Sequence, residues 1–425
     1  CPGYTSRAAE ADTIRFAHFG SYLDYELWRD VIDDFERTHE GVHVVQEYIV
    51  GLAGQYNTKM RQQILSDTLP DVALVQLGPF HELAEHFADL TSLALRKTEG
   101  GRRLSATLDP LGLSAFQYQG RPRGLPVSGG ALVIYANERC FTRAEAMRRR
   151  AIPRPQVGWT MEEFRRTAEL LTCDFDGDGR LDQFGFWLPR WVYYLPFLWS
   201  FGAELTDASL SRWTFVDTAA ERALVFYRDI AVRRRVCPRE GEVPQLFQDT
   251  GFLTGKVAMC VNGPWFQPFL ARTRLSDSYI VAPIPRGPNG SVTRVTWDGV
   301  VMAQGLDDAR GYVASEFIRW VLSQPVQDRI ARSGRALPAR TQSIPAFEGT
   351  SNDPRRRILA DALSNGRLQP LLPRFGEVDR AINRHFLRLI DPEREIGVRA
   401  ILDQLKNDPS IRRAFPPDAT KVGKR

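Results

Sequence analysis

A short aspartate-rich stretch carries the sharpest chemical pattern in the sequence. Carboxylates stand at positions 1, 3, 5 and 9 of a loop with glycine at position 6, and the four residues are Asp174, Asp176, Asp178 and Asp182. Alternating oxygen ligands let a tight turn wrap one hard cation, as calcium loops do. Position 12, which a bidentate glutamate usually fills, is Gly185. The stretch predicts a tight turn with a structural calcium ion, and an Asp-Gly turn without metal is the alternative.

Residue patterns for catalysis are scarce. The sequence contains no G-x-S-x-G nucleophile motif, no H-E-x-x-H metal motif and no phosphate-binding P-loop. Its six histidines are spread along the chain without the spacing of metal ligands. We therefore expect a binding protein with no catalytic residues and no cofactor other than the calcium ion. A polysaccharide-acting enzyme, which would need two acids facing one cleft, is the alternative.

Aromatic residues make up 11% of the chain and gather near expected turns. Trp265 follows Asn262-Gly263-Pro264, and Trp297 precedes Asp298-Gly299. An indole beside such a turn can lie flat on the apolar face of a sugar ring, while polar neighbours bind the hydroxyls. Five more aromatics follow the aspartate-rich stretch: Trp187, Trp191, Tyr193, Tyr194 and Trp199. For this group, core packing and ligand binding both remain open.

Length and charge narrow the class of protein. A chain of 425 residues suggests two lobes of roughly 200 residues each. The net charge is +5, and the arginines form short scattered clusters such as Arg148-Arg149-Arg150. No nucleic-acid recognition motif accompanies them, so we expect solvated helix faces and no nucleic-acid partner. The sequence contains no run of about 20 apolar residues, which is the length that a membrane-spanning helix needs.

The five cysteines indicate an extracytoplasmic protein. Cys1 opens a polar segment, residues 1–12, that is typical of a tether left when a signal peptide is cut before a lipidated cysteine. A chain that merely begins at a cysteine is the alternative. The other four cysteines could form two disulfides in an oxidising compartment, for example Cys140–Cys173 and Cys237–Cys260, although spacing does not choose among the three pairings.

The hydrophobic pattern predicts an α/β architecture. Residues 13–19 alternate like a half-buried strand, and Asp71-Val72-Ala73-Leu74-Val75 is typical of a buried parallel strand. Segments with apolar residues at helical spacing lie between these strands, so the sequence predicts alternating strands and helices in the first lobe. A second unit opens near Gly124-Leu125-Pro126-Val127, and Thr160 with Glu163 forms a capping box before a helix.

Seven motifs run in the same order as in a known family over nearly the whole chain. Among them are Thr68-Leu69-Pro70-Asp71-Val72, Trp159-Thr160-Met161-Glu162-Glu163-Phe164 and Gly263-Pro264-Trp265. On these motifs the chain resembles the carbohydrate-type extracellular solute-binding proteins of ABC importers (family 1), and it is similar to maltose- and trehalose-binding proteins. The resemblance implies a two-lobe periplasmic-binding-protein fold, type II-like, with a hinge and a central ligand cleft.

The resemblance also implies a division of the chain and a set of partners. The expected lobes are residues 13–127 plus about 285–345, and residues 128–284 plus about 346–425. The expected protein is a monomer, lipid-anchored at Cys1 outside the cytoplasm, that delivers a mono- or oligosaccharide to a membrane permease.

Finally, the resemblance implies ligand contacts. Trp265 and Trp297 would stack on the sugar, with polar contacts or further aromatic contacts from His18, Gln55, Gln76, Ser128, Trp191, Tyr194, Asp298, Gly299 and Arg374. The family often has acids where this chain has Gln76 and Ser128. An anionic sugar or a glycerophosphodiester is therefore the alternative ligand.

Overall fold

The computed structural model describes residues 12–50, 53–239, 241–243, 248–349, 353–394 and 396–416. The predicted tether and Cys1 lie outside these residues, except that Asp12 already begins the first strand. No helix in the described ranges is both long and apolar enough to span a membrane.

Twelve strands are present in the described part of the chain. They are β1 (Asp12–Gly20), β2 (Val42–Val50), β3 (Val72–Gln76), β4 (Gln117–Tyr118), β5 (Arg121–Pro122), β6 (Leu125–Ala131), β7 (Val133–Asn137), β8 (Met259–Asn262), β9 (Tyr279–Ala282), β10 (Thr293–Met302), β11 (Leu337–Pro338) and β12 (Gly366–Arg367).

Eighteen α-helices accompany them within the same ranges. They are α1 (Tyr22–Thr38), α2 (Ala53–Leu65), α3 (Leu77–Leu83), α4 (Thr91–Leu95), α5 (Pro110–Ala115), α6 (Glu138–Arg148), α7 (Met161–Leu170), α8 (Leu195–Ser200), α9 (Thr218–Arg228), α10 (Gln248–Leu253), α11 (Gln267–Ala271), α12 (Asp308–Val321), α13 (Gln324–Arg332), α14 (Ile344–Glu348), α15 (Pro354–Ser364), α16 (Phe375–Leu389), α17 (Val398–Asn407) and α18 (Pro409–Ala414).

The chain divides into two compact units. Unit 1 comprises Cys1–Gly129 and Thr296–Thr350, and unit 2 comprises Gly130–Val295 and Ser351–Arg425. Residues 285–295, which we expected in the first lobe, therefore belong to unit 2. The reason is that the start of β10 bonds within unit 2: the Leu132 N–H donates to the Arg294 carbonyl at 3.0 Å.

Unit 1 is built on a sheet with the strand order β11-β6-β10-β3-β1-β2. Strands β1, β2 and β3 are parallel, and β10 runs antiparallel to β3. Residues Val72–Val75 are buried, as their unbroken apolar run predicts for an inner parallel strand. Helix α1 covers the sheet with Trp28, Val31, Ile32 and Phe35 at helical spacing.

Unit 2 contains the small antiparallel sheet β8-β7-β9 and most of the later helices. All five residues of β7 are buried. The predicted capping box is confirmed at the start of α7, because the Thr160 hydroxyl accepts from the Glu163 N–H at 3.2 Å and the Glu163 carboxylate accepts from the Thr160 N–H at 2.7 Å.

The two disulfides that four of the cysteines could form, in a pairing that the sequence left open, are not present. Cys140, Cys173, Cys237 and Cys260 all lie in unit 2 as buried thiols, and none of the four forms a disulfide. Burial raises the pKa of the Cys140 thiol to about 12. These side chains serve as small apolar core residues.

Trp297 is an internal packing residue of unit 1. The indole is fully buried against the backbone of Gly129 and Gly112. A Cβ atom placed on Gly129 would lie 2.6 Å from the Trp297 ring, and one on Gly112 would lie 3.1 Å from it. The sequence therefore needs glycine at 129 so that a strand can pass directly over an indole.

We expect Gly129→Ala to destabilise the protein by about 1–3 kcal/mol, because the added methyl group overpacks the indole. Denaturant unfolding measures the change. Gly100→Ala is the matched control in the same unit, since a Cβ at Gly100 meets no atom within 4 Å. Equal stability of the two variants would contradict the packing role of Gly129.

Candidate ligand-binding site

In unit 2, the strongest candidate feature is a tryptophan held by a glycine turn. Strand β8 ends at Asn262, and Gly263-Pro264 turns the chain so that Trp265 folds back over the backbone. A Cβ on Gly263 would lie 2.3 Å from the indole, and one on Gly130 would lie 3.2 Å from it. The indole itself remains partly exposed. It therefore offers an aromatic surface whose position is fixed by close backbone contact.

Hydrogen bonds inside unit 2 fix the turn beneath Trp265. The buried Tyr135 hydroxyl donates to the Gly263 carbonyl at 2.8 Å. The Asn262 side-chain oxygen accepts from the Gly263 N–H at 2.9 Å, and its amide nitrogen donates to Asp249 at 2.8 Å. Both ends of the Asn262 amide are thus used, which leaves this turn little freedom to move.

Two polar groups near Trp265 were not singled out as ligand contacts from the sequence. Burial raises the pKa of the Asp249 carboxyl, although the bond from Asn262 opposes the rise. Burial also raises the pKa of Tyr193, whose hydroxyl has a side-chain hydrogen bond with Trp265. A carboxylate and a phenol beside an indole are the groups that bind sugar hydroxyls around a stacked ring. Tyr193 stood in the aromatic group of the sequence, but no spacing rule distinguished it from its neighbours.

In unit 1, polar residues collect at one edge of the sheet. Because β1 and β3 are parallel, their carboxyl ends at Gly20 and Gln76 lie on the same edge. Asp298 on β10 is paired directly with Gln76, and Gly299 with Val75. Gln76 and Asp298 are each partly exposed. Ligands of α/β sheets bind at the carboxyl ends of strands, so this edge is the candidate site of unit 1.

Gly299 has a packing role at this edge. A Cβ at position 299 would lie 2.5 Å from the Phe116 ring, so only glycine lets Phe116 pack there.

The other predicted ligand contacts lie at separate places in the two units. Gln55 lies exposed in the first turn of α2, and Ser128 is buried in β6, where it pairs with Pro338. Arg374 precedes α16 in unit 2, and its guanidinium lies 3.5 Å from Glu377. The side chain of Trp191 is outside the described part of the structure.

Three of the predicted ligand contacts are wrong. Trp297 is enclosed against Gly129 and Gly112, so neither a stacking face nor an edge reaches solvent. His18 is also fully buried: Gln46 Nε2 lies 2.8 Å from its ring nitrogen, and burial lowers its pKa to about 3. Tyr194 belongs to the core of unit 2, where its hydroxyl donates to Asp379 at 2.8 Å.

The aspartate-rich loop forms a tight turn in unit 2. The Asp174 carboxylate accepts from the Gly177 N–H at 2.7 Å and from the Gly179 N–H at 2.9 Å. Asp174, Asp176 and Asp182 each offer an oxygen, and these oxygens lie within 4.8 Å of one another. Asp178 is not part of this group and instead accepts from the Arg180 N–H. The donor set fits a hard cation, with three of the four predicted carboxylates.

Comparisons with known proteins agree with this architecture. Residues 20–328 match the family model described as bacterial extracellular solute-binding protein. An ABC substrate-binding protein from Listeria monocytogenes, solved with cycloalternan, has a TM-score of 0.81 at 18% identity, over 94% of this chain and 98% of that one. The acarbose-binding GacH receptor of Streptomyces glaucescens has a TM-score of 0.78 at 19% identity, over 95% and 98%.

A third solved structure carries a smaller ligand. A solute-binding protein from Thermotoga lettingae, bound with α-D-tagatose, has a TM-score of 0.79 at 18% identity, over 95% of this chain and 99% of that one. Among curated proteins, none matches the chain by sequence.

The α/β fold in two units is that of a two-lobe periplasmic-binding protein, and the predicted fold class is confirmed. The chain belongs to the bacterial extracellular solute-binding protein family. Membership places it outside the cytoplasm, as the sequence predicted.

We expect the Asp379 carboxyl to make a contribution to stability that is lost as pH rises from about 4 to about 6. Burial raises the pKa of this carboxyl from its ordinary value of 3.8 to about 6, so the native state holds a proton that the unfolded state has released. Asp379→Asn keeps an acceptor for the Tyr194 hydroxyl. It should remove this contribution to the pH dependence of the free energy of unfolding, which urea unfolding measures. Exposed Asp361→Asn is the control; an unchanged pH dependence in Asp379→Asn would refute the assignment.

We expect Ca²⁺ to raise the melting temperature, since a ligand that binds only the native state stabilises it by about 2.7 kcal/mol at a hundredfold excess over Kd. Asp174→Asn should abolish the rise. Asp207→Asn is the matched control, because Asp207 also binds N–H groups of its own turn, from Ser211 at 2.8 Å and Arg212 at 3.1 Å. A rise that persists in Asp174→Asn would exclude this loop as the calcium site.

Proposed function

We propose that this protein captures a neutral carbohydrate outside the cytoplasm and delivers it unchanged to the membrane permease of an ABC importer. The observation that carries the proposal is Trp265, a partly exposed indole that is fixed over Gly263 and hydrogen-bonded to Tyr193. The Asp249 carboxylate is held by Asn262 at the start of the same turn. A rigid aromatic face with hydroxyl-binding groups at its rim suits a sugar ring, which has apolar faces and polar edges. The Gln76–Asp298 edge is the candidate polar surface of unit 1.

The comparisons support the same ligand class. The similar structures described above were solved with cycloalternan, acarbose and α-D-tagatose, each a carbohydrate or a close analogue. These ligands range in size from one ring to several, so they support the class of ligand more than its length. Membership of the solute-binding family supports transport rather than catalysis.

The distribution of charge favours a neutral ligand over an anionic one. Unit 1 contains 18 Lys and Arg against 23 Asp and Glu, whereas unit 2 contains 38 against 28. The basic balance of the chain thus resides in unit 2, where arginines such as Arg148 and Arg235 are engaged by carbonyl and carboxylate groups of the same unit. Arg148 donates to the carbonyls of Leu170 and Thr172, and Arg235 pairs with Glu242. The charged side chains named at the candidate surfaces, Asp249 and Asp298, are acids, which suit the hydroxyls of a neutral sugar better than a phosphate or a uronate.

Anchoring and delivery complete the proposal. A lipid on Cys1 would hold the protein at the membrane that contains the permease, since an acyl chain adds about 0.8 kcal/mol of membrane affinity per buried CH₂ group. The protein would act as a monomer with one bound sugar. Metabolic labelling with a fatty-acid analogue, compared with Cys1→Ser, tests the anchor.

A thermal-shift screen with neutral sugars, uronic acids and glycerophosphodiesters tests the ligand class. We expect a concentration-dependent shift with a neutral sugar, which chromatography then recovers uncleaved. A shift with glycerophosphodiesters alone would replace the proposal by the anionic alternative. Cleavage of the bound sugar would replace it by an enzyme.

Removing the Trp265 ring tests the site itself. We expect Trp265→Ala to weaken sugar binding about tenfold or more in titration calorimetry, because burial of a large apolar side chain contributes about 1.5–3 kcal/mol and 1.4 kcal/mol is tenfold. Phe269→Ala is the matched control, since Phe269 is an aromatic residue of unit 2 that is 51% exposed on α11. Equal affinity in wild type and Trp265→Ala would remove Trp265 from the site.

A further inference from the structure

Unit 1 carries an exposed group of tyrosines that the site described above does not use. We call Tyr22, Tyr25 and Tyr48 the tyrosine ridge. Tyr22 is 64% exposed, and Tyr25 and Tyr48 are partly exposed. The rings of Tyr22 and Tyr25 stack with centroids 6.1 Å apart and planes 18° apart, and those of Tyr25 and Tyr48 are 5.3 Å apart. Three neighbouring rings therefore form a continuous aromatic surface.

Hydrogen bonds and ring contacts from neighbouring residues of unit 1 fix the tyrosine ridge in place. The Tyr48 hydroxyl donates to the Gly20 carbonyl at 3.0 Å, and its ring stacks on buried His18 at 5.2 Å. Gln46 Nε2 donates to the Tyr25 carbonyl at 3.1 Å and also lies 2.8 Å from the His18 ring. His18, which we first expected to contact ligand, thus supports the ridge instead.

A buried ion pair fixes the turn that presents Tyr22. The Asp24 carboxylate accepts from the Ser21 N–H at 2.6 Å and from the Ser21 hydroxyl at 2.8 Å, and it pairs with Arg335. Asp24 is almost completely buried. A buried carboxylate is stable when it is paired and hydrogen-bonded in this way. The first turn of α1 is therefore preorganised. A ligand that stacks on Tyr22 does not have to pay the entropic cost of ordering this turn.

The position of the ridge connects it to the candidate site of unit 1. Tyr22 follows β1 by two residues, at the carboxyl end where β1 and β3 share an edge with Gln76 and Asp298. Tyr48 lies two residues before the end of β2, which pairs with β1 throughout. The ridge therefore extends the polar edge of this sheet along the surface of the same unit.

We propose that the tyrosine ridge is an accessory sugar-stacking surface, and that the ligand is consequently an oligosaccharide rather than a monosaccharide. This inference rests on the proposed carbohydrate function. A tyrosine gives a large contact area with few rotatable bonds, so it binds a ring at low entropic cost. The polar edge at Gln76 and Asp298 suits one sugar ring, so the aromatic ridge that continues this edge in the same unit serves additional rings of a longer ligand.

The experiment is a chain-length series in titration calorimetry. The probes are gluco-oligosaccharides of α-1,4, α-1,6, β-1,4 and β-1,3 linkage, from one to five rings, and the variants are Tyr22→Ala and Tyr22→Phe. For wild type we expect affinity to rise with the number of rings in the linkage that binds. Tyr22→Ala should lose about tenfold in affinity for the longer ligands and keep the affinity for one ring within twofold, whereas Tyr22→Phe retains both.

Tyr312→Ala is the matched control, because Tyr312 is also a tyrosine of unit 1 that is 64% exposed. Thermal unfolding verifies that each variant folds. A wild type that binds one ring as tightly as five, or a Tyr22→Ala variant that binds long ligands like wild type, would overturn the ridge and leave the carbohydrate function intact. Absence of binding to every sugar, with binding to a phosphodiester, would overturn the carbohydrate function and the ridge with it.

Discussion

Two adjacent glycines, Gly129 and Gly130, let the backbone of one strand pass within contact distance of two different indoles. Gly129 lies on Trp297 inside unit 1, and Gly130 lies against Pro264 and Trp265 inside unit 2. The division between the units falls between these two residues. Any side chain here would displace a ring, since the added Cβ would come within 2.6 Å of Trp297 or of Pro264. The core of one unit and the candidate site of the other therefore depend on the same short stretch of bare backbone.

The two tryptophans also show what distinguishes a core residue from a candidate site residue. Each lies on glycine and each is flanked by turn-like sequence, so the sequence gives them the same local signature. The difference is in what covers the rest of the ring: Gly112 and Pro126 pack around Trp297, whereas Trp265 remains partly exposed beside Tyr193. Those neighbours are distant in the sequence, and hydrophobic periodicity carries no information about them.

Much of the fold could be predicted from local pattern. The buried run at Val72–Val75, the strand beginning near Thr13 and the Thr160 capping box all involve residues that are neighbours along the chain. His18 and Tyr194 were misassigned for the opposite reason, because their surroundings come from Gln46 and Asp379, which are distant in the sequence. Polar side chains in a binding protein look alike in sequence whether they bind ligand or another side chain.

Each candidate surface is fixed by bonds within its own unit. In unit 2, Tyr135 and Asn262 fix the turn of Trp265, and in unit 1, Asp24 with Ser21 and Arg335 fixes the turn that carries Tyr22. The groups named in each arrangement belong to the same unit as the turn that they fix. We therefore expect each surface to keep its geometry without ligand, so that ligand binding does not have to order the surface. Under the proposed function, selectivity for a sugar would follow from which rings and hydroxyls each preformed surface accepts, and single substitutions on one surface would report on that surface alone.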